Sequence, residues 1–155
     1  MNKTNHALIT TILFTSLGFM VALPALAAAK TETTSIAKHR AAKAKVIIQV
    51  SDNDPKKWNL ALNNAKNVQQ DYGKNNVNIE VVAYGPGLDM VKLESEVGPR
   101  VADAIDSGVK IVACENTMNH QKLTKADMLP NLGYVKSGVP ELMKKQKAGY
   151  AYIRP

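Results

Sequence analysis

From Lys45 onward, near-continuous apolar runs alternate with segments in which apolar residues recur at helical spacing. The runs "KVIIQVS", "VNIEVVAYG" and "VKIVACE" are rich in β-branched residues, which is typical of strands buried on both faces. Shorter runs at "YVKSG" and "YAYI" predict two further strands. The pattern therefore predicts five strands with helical sequence between them.

The helical segments carry their own start and stop signals. Asp54 is placed to cap the first helix, Pro55 suits its first turn and Gly73 suits its end. The stretch "PGLDMVKLESEVGPRVADAIDSG" predicts a short helix, a break near Gly98 and Pro99, and a second helix. Two more helices are predicted at "TKADMLP" and "VPELMKKQKAG". The apolar face of the first helix comprises Trp58, Ala61, Leu62, Ala65, Val68 and Tyr72.

Strands that alternate with helices predict an α/β fold with a mainly parallel sheet. In such sheets, ligands meet the protein just beyond the carboxyl ends of the strands. The segments that follow the predicted strands are "SDND", "YGPG", "CENT" and "KSG". We therefore expect these four segments to lie along one edge of the sheet and to contain the functional residues.

Residues 1–27 have the three-part pattern of a secretory signal peptide. A polar start with Lys3 precedes an uncharged apolar stretch of about 17 residues, Ala7 to Leu23. Small residues then offer cleavage after Ala27, with Ala29 as the second choice. The alternative is a transmembrane anchor, since about 17 residues is the lower limit for spanning a bilayer. The cleavage pattern favours export to the periplasm, with no stable membrane anchor after cleavage.

The chain is basic, with 20 Lys and Arg against 13 Asp and Glu. Much of the excess lies in residues 28–44, which we interpret as a basic flexible linker before an α/β domain at residues 45–155. Basic arms bind nucleic acid or anionic membranes in some proteins. This arm has no interleaved aromatic residues and belongs to an exported chain. We therefore expect no nucleic-acid partner.

Cys114 is the only cysteine, so the chain cannot form an internal disulfide. It ends the third predicted strand, at the expected functional edge. A thiolate there is a nucleophile, which the N–H groups of a following turn favour and which Glu115 opposes. Free cysteine is also among the most buried residue types and often packs as a small apolar side chain. Both roles for Cys114 remain open at this point.

Two further features are candidate binding elements. The segment "GPGL" at residues 85–88 lacks the rest of a phosphate loop and predicts a tight turn. Gly85 and Gly87 allow another backbone or a small ligand to approach this turn closely. Asn67 flanks the apolar face of the first helix, and its amide either reaches the loops at the sheet edge or belongs to a solvated face.

Metal binding and ordinary hydrolysis are both disfavoured by the histidine content. His120 is the only histidine after the linker, and no pair of His or Cys residues has a metal-ligand spacing. A metal site built on Cys114, Glu115 and His120 is the least favoured class. We therefore expect no metal, no other cofactor and no hydrolase triad.

Several segments together resemble the DsrE/DsrF-like family, in particular its small YchN-like branch. These segments are "KVIIQVSDND", "VVAYGPGL", "GVKIVACENTM" and "MLPNLGYVKSGVPELMKKQKAGYAYIRP". The most specific parts are "ACENTM" and the terminal "GYAYIRP", and the resemblance extends from about Lys45 to Pro155. It implies a three-layer α/β sandwich with a mainly parallel five-stranded sheet, and a homo-oligomer, either a trimer or a hexamer.

The resemblance also implies a chemistry. In sulfur-relay members of the family, a cysteine carries sulfur as a persulfide and passes it to a partner protein, and Cys114 matches that cysteine. The implied function is sulfur or thiol-redox handling with a sulfur donor or acceptor protein as partner. The alternative is a non-enzymatic oligomeric binding module with a structural cysteine. The residues assigned to the site are Cys114 as the reactive group, with Glu115, Asn116, Thr117, Gly85, Gly87 and Asn67 around it.

Overall fold

The structure is a computed structural model that describes residues 43–155. The predicted signal peptide and residues 28–42 of the predicted linker lie outside the described residues. The strands are β1 (Ala44–Val50), β2 (Val77–Ala83), β3 (Lys110–Cys114), β4 (Gly133–Val135) and β5 (Ala151–Ile153). The α-helices are α1 (Pro55–Tyr72), α2 (Gly98–Asp106), α3 (Glu115–His120) and α4 (Gly138–Lys147), with 3₁₀ helices at Gly85–Val91 and Lys125–Asp127.

The five strands form one sheet in the order β4-β3-β2-β1-β5, and every neighbouring pair is parallel. This arrangement confirms the predicted α/β fold. The chain steps outward from β1 to β4 and then returns to the far side of β1, where β5 pairs. Because crossovers between parallel strands are right-handed, a return in the opposite direction places its helix on the opposite face. Helix α4 therefore forms the third layer.

Each central strand contributes to two cores because successive side chains point to opposite faces. On one face, Ile48, Val81 and Ile111 pack beneath α1, α2 and the first 3₁₀ helix. On the other face, Ile47 and the residues beside it pack against α4. This double burial explains the near-continuous apolar runs of β1, β2 and β3. The core on the α4 side comprises Ile47, Val82, Val112 and Leu142.

The first helix begins and ends where its local signals predict. The Asp54 carboxylate accepts a hydrogen bond from the Lys56 N–H at 2.9 Å, and Pro55 is the first helical residue. Gly73 ends α1 with φ of 83°, a conformation that favours glycine. The Trp58 indole donates to the carbonyl of Asp52 at 2.7 Å, which fixes α1 to the turn after β1.

The structure differs from the predicted elements in three places. The helix expected at "TKADMLP" is only a three-residue 3₁₀ helix, Lys125–Asp127. The short helix expected before Gly98 is a 3₁₀ helix that ends at Val91. Residues 92–97, between this helix and α2, are not helical. Helix α3 was not predicted, because six residues with Asn, Thr and His among them have weak helix propensity. Within residues 43–155, no helix is long and apolar enough to cross a membrane.

A buried carboxylate connects the sheet to α4. Glu80 of β2 is only 2% exposed, and its Oε2 lies 2.7 Å from Lys145 Nζ and 3.0 Å from Lys110 Nζ. Its Oε1 has no hydrogen-bond partner among the described residues. Burial lowers the pKa of Lys145, but the hydrogen bond and charge of Glu80 outweigh that effect and raise it above 10.5. Lys145 therefore remains charged and stabilises the buried carboxylate at neutral pH.

Replacing Lys145→Met tests this contact. We expect the free energy of unfolding to fall by about 1–3 kcal/mol, because Glu80 keeps only the half-exposed Lys110 as a partner. Lys144→Met, which removes an exposed lysine on the same helix, is the control and changes stability by less than about 0.5 kcal/mol. Urea unfolding at pH 7 measures both, and equal losses would contradict the assignment. The difference shrinks as the pH rises through the raised pKa of Lys145.

Candidate functional site

The carboxyl ends of β1, β2 and β3 lie side by side at one edge of the sheet. Val50 pairs with Ala83, and Ala83 pairs with Ala113, so the three strands end at nearly the same level. The Tyr84 N–H donates to the carbonyl of Val50 at 3.1 Å, which extends the pairing by one residue. Three of the four segments expected at this edge therefore begin next to one another.

The turn after β2 is packed directly against the end of β1. A Cβ atom on Gly87 would lie 2.5 Å from the carbonyl oxygen of Val50, so only glycine fits at this position. Gly85 has φ of 55°, and its N–H donates to Thr117 Oγ1 at 3.0 Å. Because this amide already has a partner, it is not free to bind a phosphate. These two glycines lie at the start of the 3₁₀ helix Gly85–Val91, where the sequence predicts only a tight turn, and Gly87 is buried against the end of β1.

Cys114 is the last residue of β3 and the N-cap of α3. It is 3% exposed, it lies in register with Val135 of β4, and no side-chain hydrogen bond caps the helix through it. The N–H of Asn116 donates to the carbonyl of Lys136 at 3.1 Å, so this amide holds α3 to the end of β4. The thiol is therefore enclosed at the functional edge, between the ends of β2 and β4.

An open depression of about 550 Å³ lies next to this buried cysteine. Its polar wall is organised by Asp89, which accepts from the Asn53 amide at 2.9 Å and lies 2.5 Å from Lys92 Nζ. The Cys114 side chain does not line the depression, although two of the next three residues do. The lining residues are Asn53, Gly85, Pro86, Asp89, Asn116, Thr117, His120 and Gln121.

The structure brings most of the predicted site residues together. Glu115 begins α3, while Asn116, Thr117 and Gly85 line the depression. Asn67 is not among the lining residues and is exposed on α1. Helix α1 starts at the functional edge, and Asn67 is twelve residues further along, which is about 18 Å of helix. Asn67 therefore lies toward the opposite edge of the sheet.

Some lining residues were not among those predicted for the site. Asn53 lies three residues after the end of β1, within the segment "SDND" that the sequence places at this edge. Nothing in the sequence pattern distinguishes Asp89 or Gln121. His120 lines the depression and is exposed. Among residues 43–155, no group of three or more His, Cys, Asp or Glu side chains is arranged to hold a metal ion.

A polar network lies beside Cys114 on the α4 side of the sheet. Gln49 is 8% exposed, donates to Ser51 Oγ at 3.0 Å, and accepts from the Tyr152 hydroxyl at 2.6 Å. Tyr84 follows Ala83 as Cys114 follows Ala113, so the two side chains share this face. Burial raises the pKa of Tyr84 above 10.0, although a hydrogen bond with Ser51 opposes the shift. A neutral phenol therefore flanks the cysteine strand at physiological pH.

Comparison with known proteins identifies the class to which this fold and site belong. The model of the DsrE/DsrF-like family matches residues 44–155, and the chain belongs to this family. Membership indicates a sulfur-relay-type function at the family level. No curated protein sequence matches the chain.

Two solved structures share the fold. A protein of unknown function from Methanobacterium thermoautotrophicum, MTH1491, is 32% identical, with a TM-score of 0.70 over 73% of this chain and 100% of that chain. A conserved protein of unknown function from Bacteroides thetaiotaomicron, BT1422, is 18% identical, with a TM-score of 0.57 over 72% of this chain and 94% of that chain. The second likeness concerns the fold alone.

Replacing Gly87→Ala tests the close packing at the edge. We expect a loss of about 1–3 kcal/mol in the free energy of unfolding, because the new Cβ would overlap the backbone of Val50 and Ser51. Gly98→Ala is a matched control at another buried glycine, where the nearest atom is Leu129 Cδ2 at 3.4 Å. The control changes stability by less than about 1 kcal/mol. Urea unfolding measures both, and a neutral Gly87→Ala would contradict the packing.

Proposed function

We propose that the protein is a periplasmic sulfur carrier that holds a persulfide on Cys114. The observation that carries this proposal is the position of Cys114. It ends β3 at the functional edge, occupies the N-cap position of α3, and lies two residues before Asn116, which lines the depression. Membership of a family with sulfur-relay-type function supports the same chemistry. The proposed role is carriage and transfer of sulfur rather than hydrolysis.

The proposed reaction is a sulfur exchange with no net oxidation. The Cys114 thiolate attacks the outer sulfur of a persulfide or polysulfide donor, the donor S–S bond breaks, and the donor leaves as a thiolate. Cys114 then carries one additional sulfur. An acceptor thiolate attacks that outer sulfur in the second step, and Cys114 leaves as the thiolate. A donor or acceptor protein supplies the other thiol, because the chain has no second cysteine.

Because Cys114 is buried, helix α3 controls access to its sulfur in this proposal. At 3% exposure, the sulfur is shielded from small oxidants in solution. Helix α3 is six residues long, and its described contacts with neighbouring loops include the Thr117 and Asn116 hydrogen bonds. Short elements open locally at a lower free-energy cost than the whole domain, and opening α3 also withdraws Met118, which is 4% exposed, from the core. In this proposal, α3 opens transiently by itself, which lets small polysulfides and alkylating reagents reach Cys114 slowly, and a partner bound at the depression stabilises the open form.

Location and assembly are part of the same proposal. The signal-peptide pattern of residues 1–27 supports export to the periplasm, so the sulfur donor or acceptor protein would also be periplasmic. Val139 and Met143 are about half exposed and one helical turn apart on α4, which supports assembly into a homo-oligomer through this helix.

A second candidate function is a non-enzymatic oligomeric binding module with the fold of this family. The observation that favours it is that Cys114 is buried and does not line the depression. In this alternative, Cys114 packs as a small apolar residue, and the depression binds a polar ligand without covalent chemistry.

Treatment of the purified protein with inorganic polysulfide separates the two functions. A sulfur carrier gains about 32 Da on Cys114, the mass of one sulfur atom, and dithiothreitol removes it. Cys114→Ala is the control and gains no mass. Intact mass spectrometry with peptide mapping gives the readout. The absence of an adduct, together with a thiol that resists alkylation until the protein is denatured, would contradict the carrier and favour the binding module.

A further inference from the structure

A groove between α1 and α2 lies on the face of the sheet away from α4. Its volume is about 390 Å³, which is within the usual range of small-molecule sites of roughly 300–1,000 Å³. Leu62 and Ala65 of α1, with Ala104 of α2 and Val109 before β3, form its apolar floor. The lining belongs to the later turns of α1, so the groove is separate from the depression around α3.

A buried hydrogen-bonded contact connects α1 to the end of α2. Gln69 is 7% exposed, and its amide nitrogen donates to the carbonyl of Ser107 at 3.0 Å. The Ser107 hydroxyl lies 3.0 Å from the Gln69 amide oxygen. The amide nitrogen of Gln69 thus links α1 to the end of α2, while the single proton of the Ser107 hydroxyl is shared between the Gln69 amide oxygen and the Ala104 carbonyl, which lies 2.7 Å away.

The rim of the groove has an excess of positive charge. Lys66, Lys74 and Arg100 lie on it, against one carboxylate, Asp103. Among residues 43–155, none of these three cations lies within 4.0 Å of a carboxylate.

Arg100 is oriented without being neutralised. Its guanidinium donates to the side-chain carbonyl oxygens of Asn59 and Asn63, the latter at 2.7 Å. Amide oxygens carry no charge, and a guanidinium has five N–H donors. Arg100 therefore has further N–H donors available for an anion.

We propose that this groove binds a small organic anion with an apolar body, of the class of medium-chain carboxylates. The apolar chain would occupy the floor of Leu62, Ala65 and Val109, and the carboxylate would meet Arg100 at the rim. A second copy of the chain is a poorer occupant, because a symmetric contact would bring two positive rims together. The proposal is independent of Cys114 and of the function proposed for it.

Octanoate is the probe that tests this site. We expect saturable binding to the purified protein by isothermal titration calorimetry, with amide shifts in the NMR spectrum centred on Ala65 and Ala104. Arg100→Gln weakens octanoate about tenfold or more, since it removes the charged donor. Lys147→Gln, which removes an exposed lysine outside the groove on α4, leaves the affinity unchanged. Octan-1-ol, which lacks the charge, binds at least about tenfold more weakly than octanoate.

The same experiment can overturn the proposal in several ways. Absence of saturable binding, equal affinity of wild type and Arg100→Gln, or equal affinity for octanol and octanoate would each refute it. Amide shifts that appear in the groove on concentrating the protein alone would indicate a second copy as its occupant. If Arg100→Gln does not fold by circular dichroism, the double variant Lys66→Gln/Lys74→Gln provides the same comparison. Cys114→Ala binds octanoate as wild type does, so failure here leaves the sulfur-carrier proposal untouched.

Discussion

The parallel pairing of β1, β2 and β3 is the constraint on which the site depends. It brings Val50, Ala83 and Ala113 to one level, so the segments that follow them emerge together. The backbone after β2 then packs so closely on the end of β1 that position 87 accommodates only glycine. The same segment also holds α3, because the Gly85 N–H donates to Thr117 Oγ1. The candidate site is thus shaped by the sheet register rather than by independent loops.

The two faces of the sheet serve different purposes. The face under α1 and α2 carries the larger apolar core, whereas the α4 face contains buried polar groups, with Glu80 at one end and Gln49 at the other. Cys114 lies on the α4 face, beside the network that includes Tyr84, while the open depression lies beyond the strand ends. A sulfur carrier with this arrangement keeps its thiol apart from the surface where a partner binds. Transfer then requires local movement.

Much of the fold was predictable because its signals are local. Pro55 and Gly73 mark the ends of α1 within the sequence itself, and the β-branched runs indicate strands buried on both faces. The strand order and the unpredicted helix α3 depend on contacts between distant segments. For the same reason, the sequence could place Cys114 at the edge but could not show that it is enclosed. For Asn67, helical spacing predicts the face of α1 on which the residue lies but not its distance from the functional edge of the sheet.

The central claim is that Cys114 exchanges sulfur from the folded protein, and the rate of its alkylation measures this most directly. Iodoacetamide labelling is followed by mass spectrometry at urea concentrations below the unfolding transition. We expect a rate that rises with urea much less steeply than global unfolding does, because movement of a six-residue helix exposes far less surface than unfolding of the domain. A rate that rises with urea as steeply as global unfolding would contradict it, since the thiol would then react only from the unfolded chain.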